Sequence, residues 1–229
     1  MAQTFVIGDI HGAFKALEQC LERSHFNYGS DHLICLGDVC DGWPETKRCI
    51  DELLKIKDVT YILGNHDQWA RNWMKTTLAE EIWKSQGGDA TIASYAPGIP
   101  PSHIEFLDHA LPYFISNNKL FVHAGIDLHR PLEHQDISTF AWDRTLIQKA
   151  WSFLRVETKI KLTQFDEVYL GHTPIPFTKP IQACEIWMMD TGAGWAGVLS
   201  MMNIDTKEVF TSDRVPSLYP GVEGRMKNK

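Results

Sequence analysis

The feature that most constrains this chain is a repeated punctuation: short apolar runs that each stop at a glycine and a residue able to bind metal. Residues 4–7 run into Gly8, Asp9 and His11, residues 32–36 into Gly37 and Asp38, and residues 59–63 into Gly64, Asn65 and His66. Two later runs, 119–123 and 167–170, end at His123 and at Gly171-His172, and a sixth ends in Asp190-Thr191-Gly192. Apolar residues at helical spacing separate the early runs: Phe14, Leu17 and Leu21, then Ile50, Leu53 and Leu54 behind Pro44, then a stretch through Trp69 and Trp73. Strands alternating with helices predict an α/β architecture with a largely parallel sheet. In such sheets the carboxyl ends of the strands line a shared crevice, so separate strands would deliver carboxylates, an amide and imidazoles to one place.

The second half breaks this rhythm. Residues 111–116 and 119–123 read as a hairpin around Asn117-Asn118, and 145–157 as a helix. Strands are expected at 167–170, 185–189, 198–204 and 208–211. With no long helices between them, they predict a second, mostly antiparallel sheet packed on the first. The chain reads as one domain over 1–229, with 213–229, which holds Pro216 and Pro220, as an extended or frayed tail.

Composition narrows the partners. Twenty-two Lys and Arg against 29 Asp and Glu give a net charge of −7, which argues against non-specific binding to nucleic acid or anionic membrane. Five cysteines, at 20, 35, 40, 49 and 184, are too sparse for a disulfide framework or a zinc ribbon and read as buried free thiols. The opening residues lack a basic region and a cleavage site, and no apolar stretch is long enough to span a bilayer, so a cytoplasmic location is expected.

Taken singly, a Gly-Asp after a strand is a turn, and a histidine in an apolar setting is a core residue. Five such ends in succession are a constellation. Its donors are oxygen and nitrogen without thiolate, which suits Mn, Fe, Zn or Co. Two metals a few Å apart need a bridging carboxylate and a bridging water or hydroxide. Two divalent ions, Asp9, Asp38 and a hydroxide leave a local charge of about +1, so an acidic chain can hold a pocket for phosphate.

Gly8-Asp9-Ile10-His11-Gly12, Gly37-Asp38 with Asp41, Gly64-Asn65-His66-Asp67, Val122-His123-Ala124-Gly125 and Gly171-His172-Thr173-Pro174 together resemble the calcineurin-like metallophosphoesterases. The likeness is greatest to the bacterial phosphoprotein phosphatases and the symmetrical diadenosine tetraphosphatases. It implies an α/β fold of two β-sheets in a sandwich flanked by helices, around a dinuclear centre. It further implies that Asp9 and His11 hold one metal, that Asp38 bridges, and that Asn65, His123 and His172 complete the second. His66 would protonate the leaving oxygen, with Asp41 orienting its ring. Arg144 would grip phosphate, alongside Asn65. The implied activity is hydrolysis of phosphate monoesters, on phosphoprotein or small molecule, by direct attack of a metal-bridging hydroxide with two divalent ions, manganese foremost.

The sequence departs from the family where many members carry an arginine directly after the second Asp of the bridging motif; here that place holds Gly42, with Arg48 and Arg71 as candidate replacements. Trp43 beside Asp41 is a candidate substrate contact, whereas Trp69 and Trp73, one helical turn apart, read as core packing. Asp67 reads as a helix cap. His25, His32, His103 and His109 lie outside any motif, and residues 127–144 form an irregular stretch placed to act as a substrate-recognition lid. Two alternatives remain: hydrolysis of a dinucleoside polyphosphate or other phosphodiester, and a non-catalytic scaffold of the same fold.

Overall fold

The computed structural model describes residues 2–96, 98–154 and 160–225. β1 (Thr4–Ile7), β2 (His32–Cys35) and β3 (Asp58–Tyr61) are parallel neighbours, in a register that sets Ile7 beside Cys35 and Cys35 beside Tyr61. The expected hairpin is present as β4 (Tyr113–Ser116) and β5 (Lys119–Val122), with Asn117 and Asn118 both at positive φ, as a tight two-residue turn requires. β5 pairs in parallel with β6 (Glu167–Leu170); β7 (Ile181–Ala183) and β8 (Ile186–Met188) complete that sheet, in the order β4-β5-β6-β8-β7. β9 (Ser200–Asn203) and β10 (Val209–Thr211) return antiparallel to the free edge of β1, giving β10-β9-β1-β2-β3.

The strands at 198–204 and 208–211 therefore belong to the first sheet, and the second sheet is mixed instead of mostly antiparallel. Alternating residues and a short turn say that two strands pair with each other; they do not say which sheet edge receives them. β7 went unforeseen because it has only three residues and turns back through Cys184 at positive φ.

The helices are α1 (Phe14–Arg23), α2 (Thr46–Leu53), α3 (Asn65–Thr76), α4 (Glu81–Trp83) and α5 (Asp89–Ser94), then α6 (Pro101–Asp108), α7 (Ile137–Trp142), α8 (Thr145–Ser152) and α9 (Val215–Leu218). Residues 155–157 of the helix expected over 145–157 lie outside the described residues. Alternation along the strands builds the sandwich. Val6, Ile34, Leu36, Phe121, Tyr169 and Met202 cluster between the sheets, with Phe121 and Tyr169 stacked at 4.7 Å. Phe5, Ile7, Leu33 and Cys35 point the other way, onto Leu17, Cys20 and Leu21 of α1 and Ile50 and Leu53 of α2. Leu120, Val122, Val168 and Leu170 face Leu146, Ile147 and Ala150 of α8. A strand buried on both faces, as β1 is, reads as an unbroken apolar run, and this is why its end was easy to locate.

Residues 213–225 are not a frayed tail. Val215 is buried, Tyr219 stacks on Trp43 at 5.2 Å, and its hydroxyl donates to Glu45 at 2.6 Å. The chain stays docked through Arg225; residues 226–229 lie outside the described residues. The five cysteines are free thiols, four of them buried. Among the described residues no helix is long and apolar enough to cross a membrane.

Candidate active site

The loops leaving β1, β2, β3, β5 and β6 meet at one end of the sandwich. Each turns sharply. His11, Asp38, Asp41 and His172 all sit at positive φ, between +51° and +75°. Non-glycine residues rarely adopt this region, although Asp and His tolerate it better than most. Such strain costs on the order of 1–3 kcal/mol per residue and persists where the surroundings dictate the backbone, as they do at functional sites.

Two groups of possible metal-binding atoms form there. Those of Asp9, His11 and Asp38 lie within 4.8 Å of one another, as do those of Asp38, His123 and His172. Asp38 is common to both. His11 Nδ1 donates to the Cys40 carbonyl at 2.9 Å and His123 Nδ1 to the Leu36 carbonyl at 2.7 Å. A carbonyl can only accept, so the Nδ1 protons are fixed and each Nε2 is left facing Asp38 Oδ2, at 3.8 Å for His11 and 3.3 Å for His123. Histidines that ligate metals are held in this way by their second nitrogen. Asn65 Oδ1 lies 3.0 Å from His123 Nε2 and 2.9 Å from His172 Nδ1. His172 Nε2 is buried without a hydrogen-bond partner among the described residues. This crowd of acceptors fits divalent cations.

The electrostatics agree. Burial, and then the charge of Asp190, hold Asp9 well above the usual carboxylate range. Burial likewise pushes Asp190 up to about 6. Burial and the nearby Arg225 hold His11 well below its ordinary value, and burial and His123 bring His172 down to about 3, so both rings are neutral and able to ligate. His123 goes the other way: burial lowers it, but the Asp38 carboxylate prevails and lifts it to about 10. Something positive is wanted beside Asp38, a proton or a metal.

His66 opens α3 beside this cluster. Its backbone N–H donates to Asp38 Oδ1 at 2.9 Å, and its ring Nδ1 lies 2.6 Å from Asp41 Oδ2. Asp41 also accepts the Trp83 indole N–H at 2.7 Å and the Thr91 hydroxyl at 2.8 Å. Asp67 is more than a cap. Its carboxylate accepts the N–H groups of Gly64, Asp38, Val39 and Cys40 and the Tyr61 hydroxyl, tying the turn after β2 to the start of α3.

A cavity of about 370 Å³ opens over the cluster, lined by Asp38, Asn65, His66 and His172 and walled by Trp69, Trp142, Trp195, Arg144 and Arg225. All the residues singled out from the sequence as ligands or acid therefore converge, and Arg144 faces the same space. Other expectations fail. Arg48 pairs with Glu45 and lies over the Phe14 ring, and Arg71 faces Asp108; neither lines the cavity. Trp43 is fully buried, its indole donating to the Ala193 carbonyl, so it packs and does not face the cavity. Trp69 and Trp73 part company: Trp73 packs against Trp83 and Tyr95, while Trp69 stands edge-on to His66 at 5.4 Å and to Trp142 at 5.1 Å. His103 is buried between Tyr95 and Asp51. The stretch 127–144 contains α7, and only its end, Trp142 and Arg144, reaches the cavity; residues 127–133 line a separate groove with Tyr113 and Phe165. Asp190 enters the sequence reading only as the end of a sixth run, without a role, and Arg225 does not enter it. Asp190 carried a signal, a strand end before Thr191-Gly192; Arg225, 214 positions from the His11 it touches, carried none.

Two packed mixed sheets with this cluster at their strand ends define a class, the hydrolases of phosphoric esters. The chain belongs to the calcineurin-like phosphoesterase family, whose model matches residues 3–193. It is 29% identical over 206 residues to serine/threonine-protein phosphatase 1 of Salmonella typhimurium, covering 87% of this chain and 91% of that protein. It is 25% identical over 251 residues to the asymmetrical bis(5'-nucleosyl)-tetraphosphatase PrpE of Bacillus cereus, covering 95% of each. The fold is shared with a solved candidate diadenosine tetraphosphatase at a TM-score of 0.69 and 19% identity, over 92% of each chain.

Proposed function

We propose that this chain is a dinuclear-metal-dependent phosphoesterase that cleaves phosphate monoesters, on a phosphoprotein or a small molecule. The observation that carries the reading is Asp38, common to two groups of buried ligand atoms beside the His66–Asp41 pair. Asp9, His11 and Asp38 would hold one divalent ion, and Asp38, Asn65, His123 and His172 the other, with Mn foremost and Fe, Zn or Co suited to the same donors. When bound, such ions supply Lewis acidity, which activates water near neutral pH and neutralises phosphoryl charge.

The chain's own residues do the rest. His66, its Nδ1–H given to Asp41, presents the other ring nitrogen to the cavity as acid for the leaving oxygen. Arg144 offers a planar fork to phosphoryl oxygens. No thiolate competes as nucleophile, because burial pushes Cys35 and Cys40 far above the ordinary thiol range. In this reading the attack on phosphorus is direct, without a phosphoenzyme. A second reading, cleavage of a dinucleoside polyphosphate, is favoured by the three indoles on the cavity wall, which offer faces to a nucleobase.

Assay with Mn, Zn, Fe and Mg in turn, on p-nitrophenyl phosphate, bis-(p-nitrophenyl) phosphate, diadenosine tetraphosphate and a phosphopeptide, tests both. Monoester and phosphopeptide turnover above the rest supports the first reading. Preference for the dinucleotide and diester supports the second, and no turnover with any metal leaves a non-catalytic scaffold.

A further inference from the structure

We propose that Arg225, delivered by the C-terminal segment, is a substrate-binding residue whose guanidinium grips phosphoryl oxygens in the space that Gly42 leaves open. This rests on the phosphoesterase reading above and deepens it; the residue lies beyond the stretch matched by the family model, which ends at 193.

Gly42 makes room for it. A Cβ at that position would lie 2.9 Å from Arg225 Cγ, and the backbone there has φ of +100°, so a side chain at 42 and the arginine at 225 exclude each other. The approach of the segment is built with equal care. Trp43, the next residue, lies flat beneath it: Tyr219 stacks on the indole at 5.2 Å, and Gly224, at φ +56°, passes so close that a Cβ would meet Trp43 Cζ2 at 2.8 Å. Lys15 anchors the same turn, its backbone N–H donating to the Tyr219 hydroxyl and its ammonium to the Leu218 carbonyl. The bridging-motif loop is thus a seat for the arginine that follows Gly224.

The guanidinium is poised for an anion. Its Nη1 lies 3.2 Å from His11 Nε2, its Nη2 donates to Gln86 Oε1 at 3.3 Å, and its carbon sits 4.6 Å over the Trp195 ring. Among the described residues it forms no ion pair within 4 Å; the charges of Asp38, Asp41, Asp190 and Asp9 act on it from further off, and Nε is buried without a hydrogen-bond partner. Arg48, Arg71 and Arg130, by contrast, each face a carboxylate. A half-buried guanidinium backed by an indole and paired to no contacting carboxylate has donors to spare for a phosphoryl group, and its fork matches two oxygens. Arg144 lines the same cavity, so the phosphate would be held by two arginines that are far apart in the sequence.

Full-length protein loaded with manganese is the material for the test, with Arg225→Gln, Arg225→Lys and Gly42→Ala. Three quantities are read: affinity for inorganic phosphate by calorimetry, manganese content, and KM and kcat for p-nitrophenyl phosphate. Losing one charge-assisted contact predicts that Arg225→Gln weakens phosphate affinity roughly ten- to a hundredfold and raises KM, with manganese content and thermal midpoint unchanged. Arg225→Lys falls between. Gly42→Ala weakens phosphate binding too, and adding Gly42→Ala to Arg225→Gln costs nothing further, since both remove one contact. Unchanged phosphate affinity in Arg225→Gln overturns the proposal. So does tighter manganese binding with faster turnover, which would mean that the guanidinium stands in the ion's place. A wild type that binds phosphate yet hydrolyses no ester sinks the catalytic reading alone, and one that binds no phosphate sinks both.

Discussion

His66 Nδ1 and the Trp83 indole N–H share a single acceptor, Asp41 Oδ2, at 2.6 and 2.7 Å. The other carboxylate oxygen takes the Thr91 hydroxyl at 2.8 Å. Trp83 and Thr91 flank the kinked segment Lys84–Gly88, where Gly87 leaves helical geometry at φ +110°, and this kink places two donors around one carboxylate. Asp41 cannot swing, and the imidazole it holds keeps one orientation toward the cavity.

A fixed ring suits an acid whose task is to meet a leaving oxygen. His66→Asn keeps the size and removes the proton. It should leave metal content unchanged and slow an alkyl phosphate by about 10²–10⁴, but p-nitrophenyl phosphate far less, because that leaving group departs without a proton. A series of substituted phenyl and alkyl phosphates checks this. Equal slowing across the series counts against His66 as the acid.

Asp38 is the side chain both ligand groups need. Asp38→Asn preserves the volume and removes the negative charge of the shared position. We expect metal stoichiometry, read by elemental analysis after dialysis, to fall from about two toward one or none, consistent with the ten- to hundredfold losses seen even for indirect ligand changes. Chelation should lower the thermal midpoint of the wild type more than that of the variant, since an ion that binds only the folded state stabilises it. Retention of the full complement would remove Asp38 from the bridge.

What was legible followed from local rules. Ile7 and Leu36 end apolar runs buried on both faces, and Leu63 ends the parallel edge strand beside them, so the residues just beyond all three gather at one edge of the sheet. The placement of β9 beside β1 was not legible, because it depends on β1 having an unpaired side, a fact about the assembled sheet and not about residues 198–204. Trp43 misled for a related reason. Its place beside Asp41 suggested substrate contact, but positive φ at both Asp41 and Gly42 turns the chain and sends the indole inward. Arg225 was out of reach altogether, since its contact with His11 spans 214 positions and no local pattern marks it.

His103 lies far from these ligands in role and gives a separate check on the fold. It is buried, with Nε2 3.1 Å from Asp51 Oδ1 of α2 and Nδ1 2.8 Å from the Tyr95 hydroxyl. Burial holds its pKa below the ordinary value, with Asp51 opposing. A histidine depressed in the fold binds fewer protons folded than unfolded. Its contribution is therefore complete above about pH 6.5 and is lost as the pH falls below that. Thermal midpoints measured from pH 7.5 to 5 should drop more steeply in the wild type than in His103→Gln. Parallel curves would show that His103 is not kept neutral.

Asp67 carries the clearest stability prediction. Burial and the Asp38 charge push it up to about 6, so at neutral pH it is still ionised and acceptor-only, which matches the five donors around it. Asp67→Ala leaves the N–H groups of Gly64, Asp38 and Cys40 and the Tyr61 hydroxyl with no acceptor, while Val39 N–H keeps the Tyr61 oxygen at 3.0 Å; the cost is roughly 1–3 kcal/mol for each orphan that water cannot reach. A total loss of about 3 kcal/mol lowers the midpoint of a chain of this size by roughly 6–12 °C. Asp67→Asn should fall in the same direction, because its amide turns a donor toward donors. The damage would not stop at stability: two of the orphaned N–H groups belong to Asp38 and Cys40, whose turn sets the shared carboxylate, so manganese affinity should fall as well. Scanning calorimetry with and without manganese reads both effects. A midpoint within about 2 °C of the wild type, with metal affinity intact, would mean that strand packing alone holds the turn.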